Sequence, residues 1–138
     1  MDAKLTSVGL PAARAETIRG LARAVSEGKV RFEGIVDTEE FLERLCEIPG
    51  IGKWTAQYVA MRALGEPDAI PAGDLGLAHA LESKSAKEIE KRSEGWRPWR
   101  AYAAMYLWSV THNAAGHAGR GEAADPKDRL REQVRIAV

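Results

Sequence analysis

Apolar residues recur along most of this chain at the three-to-four spacing of helices, and no stretch shows the alternation expected of a half-buried strand. In residues 11–27, Ile18, Leu21, Ala22 and Val25 fall on one stripe, predicting a first helix that Gly28 ends. Residues 29–36 read as a connector. Asp37 then has the character of an N-cap, and Glu40, three residues on, completes a capping box before Phe41, Leu42 and Leu45. Pro49-Gly50-Ile51-Gly52 stops this helix abruptly, and the next runs from about Lys53 to Leu64, with Gly65 as its stop. After a turn at Glu66-Pro67-Asp68, the segment Ile70-Pro71-Ala72-Gly73 leads, extended, into a short helix starting near Asp74. Ser85 and Glu88 form another capping box, for a helix ending at Gly95. Pro98 opens the next helix, which carries Tyr102, Met105, Tyr106 and Trp108 to about Val110. The expected fold class is all-α. Residues 1–112 read as one helical body and residues 113–138 as a polar tail, in which Asp125-Pro126 caps a short helix through Gln133.

Composition narrows the picture. The chain has 138 residues, 45% of them hydrophobic, enough for a packed core. Twenty basic residues balance twenty acidic ones, which argues against a globally basic coat for nucleic acid. A local phosphate site needs only a few aimed donors and remains open. The one cysteine, Cys46, excludes an internal disulfide or a cysteine-ligated cluster, and it suits a reducing cytoplasm. No apolar run approaches the roughly eighteen residues of a membrane span, so no membrane partner is expected. His79, His112 and His117 have no metal-ligand spacing.

The stretch Leu45-Cys46-Glu47-Ile48-Pro49-Gly50-Ile51-Gly52-Lys53-Trp54-Thr55-Ala56 is the most informative. Two helices meet through a turn whose glycines remove side chains, so a partner can approach the backbone closely. Amides at the start of the second helix then point outward beside its positive dipole end, which makes an anion site that Lys53 would reinforce. A bare Pro-Gly-x-Gly is more often a plain helix–helix turn. Here the apolar helix before it, Ile51 within it and Lys-Trp-Thr-Ala after it match the helix-hairpin-helix motif, and a DNA phosphate is the natural guest.

Further along, Ile70-Pro71-Ala72-Gly73-Asp74-Leu75-Gly76-Leu77 sets an aspartate at a helix start, ordinarily a cap. With the hairpin before it, the chain resembles the C-terminal half of the DNA-3-methyladenine glycosylase II (AlkA-like) family, in the helix-hairpin-helix DNA glycosylase superfamily. The resemblance covers residues 5–110 and implies an incomplete helical bundle. It implies a DNA repair enzyme that hydrolyses the N-glycosidic bond of alkylated purines in double-stranded DNA. Asp74 matches the family's catalytic carboxylate, which would stabilise positive charge developing on the sugar. Purines alkylated at N3 or N7 are already good leaving groups, so the site needs chiefly that charge and a place for the extruded base.

By the same resemblance, Trp54, Tyr58 and Trp108 match the aromatic residues of the base pocket, whose electron-rich faces suit a cationic base. Core packing is the competing reading for all three, since Trp54 and Tyr58 also share one helix face. Trp96 and Trp99 read as structural, and Arg92, Arg97 and Arg100 as a solvated basic face. Gly50, Gly52, Lys53 and Thr55 would hold a phosphate. The main-chain carbonyls of Cys46, Ile48 and Gly50 would hold a Na or K ion, with no other cofactor required. Bifunctional members of the superfamily carry a Schiff-base lysine where this chain has Trp54. Lys53 lies one residue early, about 100° round the helix, so a monofunctional enzyme is expected.

The resemblance enters the family pattern midway and lacks several helices and the loop that wedges the duplex. Apolar faces should therefore be exposed, and self-association or a partner chain supplying the missing helices is expected. Two other readings stay open. One is a non-catalytic DNA-binding module; the other is a helical interaction protein whose hairpin is only a turn.

Overall fold

A computed structural model describes residues 5–117, and every regular element among them is helical. The chain divides at Glu66/Pro67 into two compact units.

The first unit begins with a 3-10 turn, Leu5–Val8, followed by α1 (Ala12–Ser26), α2 (Thr38–Cys46) and α3 (Lys53–Val59). The last of these continues as a π-helical turn, Ala60–Leu64, closed by Gly65. Asp37 caps α2 as its sequence predicts, its carboxylate accepting from the Glu40 amide at 2.8 Å. Glu40 does not return the favour of a full capping box; its carboxylate lies 3.7 Å from Arg44 one turn on. The core collects Ala15, Val30, Phe41, Leu45, Ile48, Ile51, Ala56, Ala60 and Met61. Phe32 meets Phe41 edge to face, with ring centroids 5.4 Å apart.

The predicted stripe on α1 is corrected here. Ile18 and Val25 are 43% and 41% exposed, and the buried residue of α1 is Ala15. Small residues, not the large apolar ones, carry α1's packing: a Cβ added at Gly20 would lie 3.0 Å from the Ile48 side chain.

The second unit holds α4 (Leu75–Ala80), α5 (Ala86–Ser93), a 3-10 turn at Glu94–Trp96, and α6 (Arg100–His117). Leu77, Ala80, Leu81, Ile89, Ala101, Ala104 and Leu107 form its core. Ser85 caps α5, accepting from the Glu88 amide at 3.2 Å. The helix α6 differs from expectation at both ends. Pro98 sits in the turn before it rather than in its first turn, with the Trp99 amide closing onto the Trp96 carbonyl at 2.8 Å. It also runs on to His117, past the end expected near Val110. The short helix expected around Asp125 to Gln133 lies outside the described residues.

No described helix is long and apolar enough to cross a membrane.

Candidate functional site

In the first unit the hairpin is held from behind by α1. Thr17 donates its hydroxyl to the Pro49 carbonyl at 2.9 Å, and Ile48 and Ile51 bury their side chains on either side of the turn. The Ile51 amide donates to the Ile48 carbonyl at 3.0 Å, tightening it. Gly50 is required twice. Its φ is +90°, where a side chain is strained, and an added Cβ would fall 2.1 Å from the Thr17 hydroxyl oxygen.

Gly52 is different. Its backbone is extended, at φ −96° and ψ 176°, and an added Cβ would meet nothing within 4 Å. Neither backbone strain nor an internal neighbour demands glycine there. It is the N-cap of α3 and offers no side-chain oxygen to the first turn. The first intrahelical bond runs from the Ala56 amide to the Gly52 carbonyl, so the amides of Lys53, Trp54 and Thr55 precede the hydrogen-bonded ladder. Lys53 is exposed and Thr55 half-buried.

On the same helix, Trp54 and Tyr58 are 41% and 37% exposed and lie parallel, ring centroids 5.4 Å apart at 11°. The core-packing alternative does not describe this pair, which forms a stacked platform at the surface.

In the second unit, Asp74 caps α4. Its Oδ1 accepts from the Leu77 amide at 3.0 Å and from the Trp108 indole Nε1–H at 2.6 Å. The structure thus joins two of the sequence-predicted residues, Asp74 and Trp108, across 34 positions of chain. Asp74 is half-buried. Among the described residues no fully buried side-chain oxygen or nitrogen lacks a partner, so Oδ2, which accepts no such bond, is not sealed from solvent.

The segment leading to Asp74 is clamped at its start. Arg100 is only 13% exposed and grips Asp68 with two bonds, Nε to Oδ1 at 2.8 Å and Nη2 to Oδ2 at 2.9 Å. Arg97 also pairs with Asp68, and Glu94 joins both arginines. Burial alone would raise the Asp68 pKa. The hydrogen bonds and charge of Arg100, with the charge of Arg97, outweigh it and hold the carboxyl below its ordinary range. The Ala101 amide adds a bond to the Pro67 carbonyl at 2.9 Å. Arg92 donates to the Leu81 carbonyl at 2.8 Å. Arg100 departs from the expected solvated basic face, being largely covered, while Arg92 and Arg97 are exposed as expected although each also holds a partner within the chain. Trp99, read as structural, is exposed and meets Tyr102 edge to face.

Sequence reasoning missed Thr17, Gly76 and the Asp68–Arg100 clamp. Only Gly76 left a local trace, a glycine inside a helix start where alanine would be favoured.

A helix-hairpin-helix whose second helix begins on an uncapped glycine, and an aspartate that caps a later helix start, are the features to set beside known proteins. No protein-family model matches the chain. It is 34% identical over 104 residues to DNA-3-methyladenine glycosylase 2 of Escherichia coli, covering 75% of this chain and 37% of that protein. It is 33% identical over 117 residues to a DNA-3-methyladenine glycosylase of Bacillus subtilis, covering 78% of this chain and 39% of the relative. Among solved structures, the Schizosaccharomyces pombe 3-methyladenine DNA glycosylase Mag1, in complex with abasic DNA, superposes with a TM-score of 0.71 at 27% identity. That match covers 81% of this chain and 60% of Mag1. In sequence and in fold, the chain is thus similar to a segment of the AlkA-like DNA-3-methyladenine glycosylases. It spans less than half the length of these curated relatives.

Proposed function

We propose that this chain carries the catalytic segment of a monofunctional DNA glycosylase, which hydrolyses the N-glycosidic bond of alkylated purines of the 3-methyladenine type in double-stranded DNA. The observation that carries the reading is the state of Asp74. One carboxylate oxygen is pinned by two donors, while the other accepts no bond and is not sealed from solvent.

The chemistry follows from that arrangement. As the bond from C1′ to the base nitrogen breaks, its electron pair leaves with the base, and positive charge builds on the sugar. The Asp74 carboxylate stabilises that charge and orients the attacking water, whose oxygen bonds to C1′ as its proton passes to surrounding water. An alkylated purine is already cationic, so no general acid at the base is required. The stacked Trp54–Tyr58 pair offers electron-rich faces to such a base. Trp108, half-buried and with its indole N–H engaged by Asp74, is the third aromatic residue assigned to the base.

The amides at Gly52, Lys53 and Thr55, with the Lys53 ammonium, hold a backbone phosphate, and Gly50 shapes the turn that presents them. The carbonyls of Cys46, Ile48 and Gly50 form a neutral oxygen set suited to Na or K. Cys46 ends α2, where helical carbonyls run out of amide partners, although the Ile48 carbonyl already accepts from Ile51. No group of three or more His, Cys, Asp or Glu that could bind a harder ion occurs among the described residues. Trp54, standing where a lyase would need an amine, supports hydrolysis without strand cleavage. The exposed Ile18 and Val25 suit a second copy or a partner chain packed on α1. The lone cysteine and a DNA substrate suit the cytoplasm.

The test is release of 3-methyladenine from alkylated duplex DNA. Wild type should release it and Asp74→Asn should not, with no strand cleavage by either. Salt-sensitive DNA binding with no base release from wild type would instead establish a binding module.

A further inference from the structure

We infer that Trp108 and Gly76 form a positioning device for Asp74, a role beyond any stacking by the Trp108 ring; this rests on Asp74 acting at the sugar. The Asp74 carboxylate has one local partner, the Leu77 amide of its own helix. A single bond at Oδ1 fixes that oxygen but leaves the carboxylate plane free to swing about it. The second donor comes from α6: the Trp108 indole N–H reaches the same oxygen at 2.6 Å, the distance of a strong charge-assisted bond. Two donors converging on Oδ1 fix the plane and so fix where Oδ2 points.

Gly76 makes the convergence possible. A Cβ built there would lie 3.0 Å from Asp74 Oδ1, 3.1 Å from Trp108 Cδ1 and 3.3 Å from Trp108 Nε1. It would sit against both partners at once, at distances that force one of them to yield. No positive φ explains the glycine. It is there because carboxylate and indole close over it, and α4 gives up the helix propensity of alanine for that approach.

The device is tested on the whole chain by NMR and by single-turnover base excision. The four tryptophans give four indole N–H signals, and Trp108→Phe assigns one by its loss while keeping an aromatic ring. That signal should lie downfield, exchange slowly with solvent, and move upfield in Asp74→Asn, where the acceptor is neutral, and in Gly76→Ala, where the partners are pushed apart. Trp108→Phe and Gly76→Ala should each slow excision about ten-fold or more, with DNA affinity changed less than about three-fold, as for an interaction made in the transition state alone. Gly76→Ala guards against a folding artefact, since alanine favours the helix.

An indole signal indifferent to Asp74→Asn overturns the contact. A responsive signal with wild-type excision rates in Trp108→Phe and Gly76→Ala overturns the positioning role and leaves the proposed function standing. Wild-type excision by Asp74→Asn, or none by wild type itself, overturns the function and this role with it, whatever the indole signal shows.

Discussion

Helices α3 and α4 begin in opposite ways. The start of α4 is closed by its own chain: Asp74 takes the Leu77 amide, and a tryptophan from α6 takes hold of Asp74. The start of α3 is left open, on a glycine with no side-chain oxygen and nothing near its missing Cβ. Elsewhere, α2 and α5 follow α4, with Asp37 and Ser85 as caps. A helix start carries partial positive charge and unpaired amides wherever it occurs. Where the chain supplies the anion, the helix is anchored and the carboxylate becomes a fixed instrument. Where it withholds one, the same physics is available to a guest. The glycines divide in the same way: Gly50 and Gly76 are demanded by internal neighbours, while Gly52 is demanded by none.

The largest expected effect falls on the closed start. Asp74→Asn keeps an oxygen for the Leu77 amide and caps about as well as aspartate, but it weakens the charge-assisted bond from Trp108, so stability should fall by about 1 kcal/mol or less. Base release should nevertheless fall by roughly 10²–10³ or more, the scale of losing an aimed electrostatic contact in the transition state. Urea unfolding beside single-turnover excision reads both. A parallel loss of fold and rate would make Asp74 a cap and nothing else.

Next comes the internal demand for glycine in the hairpin. Gly50→Ala must hold a left-handed backbone and collide with Thr17, together costing about 2–4 kcal/mol in urea unfolding. Thr17→Ala removes the nearest colliding atom, so the double variant should recover part of that loss. Additive losses would show that the turn is not wedged against α1.

A smaller effect belongs to the clamp ahead of Asp74. Asp68→Asn should cost about 1–3 kcal/mol at neutral pH, since it weakens a largely covered pair with Arg100. The pH sign is fixed by the lowered Asp68 pKa. A carboxyl depressed in the folded state stabilises above its unfolded pKa of about 4 and loses that contribution as pH falls through the folded value. Wild type and Asp68→Asn should therefore converge in acid, and a gap that persists there would rule out the ion pair as its source.

What the sequence showed and what it hid separate by range. The caps Asp37, Asp74 and Ser85 and the turn at Pro49 were legible because each satisfies amides two or three residues away. The contacts that turn these elements into a site join Thr17 to Pro49, Asp68 to Arg100 and Asp74 to Trp108, each pair more than thirty positions apart. No local spacing encodes such pairs. Trp108 was legible as an aromatic at the right place, but not as a donor to the carboxylate. The stripe on α1 failed for a different reason: periodicity tells which residues share a face, and nothing in it tells whether that face is covered.

The smallest expected effect is also the one that inverts the comparison. Gly52→Asp gives α3 the kind of start that α4 has. The extended backbone at position 52 resembles that at Asp37 and Asp74, and the space beside it is empty, so the new carboxylate can cap the first turn. Stability should rise by about 0.3–1 kcal/mol. DNA affinity should fall about ten-fold, because the amides are now taken and a negative charge stands where a phosphate would dock. The slope of log affinity against log salt should become shallower by about 0.9, the loss of one phosphate contact. Gly52→Ala separates the two causes, since it adds bulk without charge or cap and should weaken binding less. If the hairpin were only a turn between helices, Gly52→Asp would stabilise the chain and leave DNA binding where it was. A gain in stability coupled to a loss in binding is the result that only an anion site left open by design of the sequence can give.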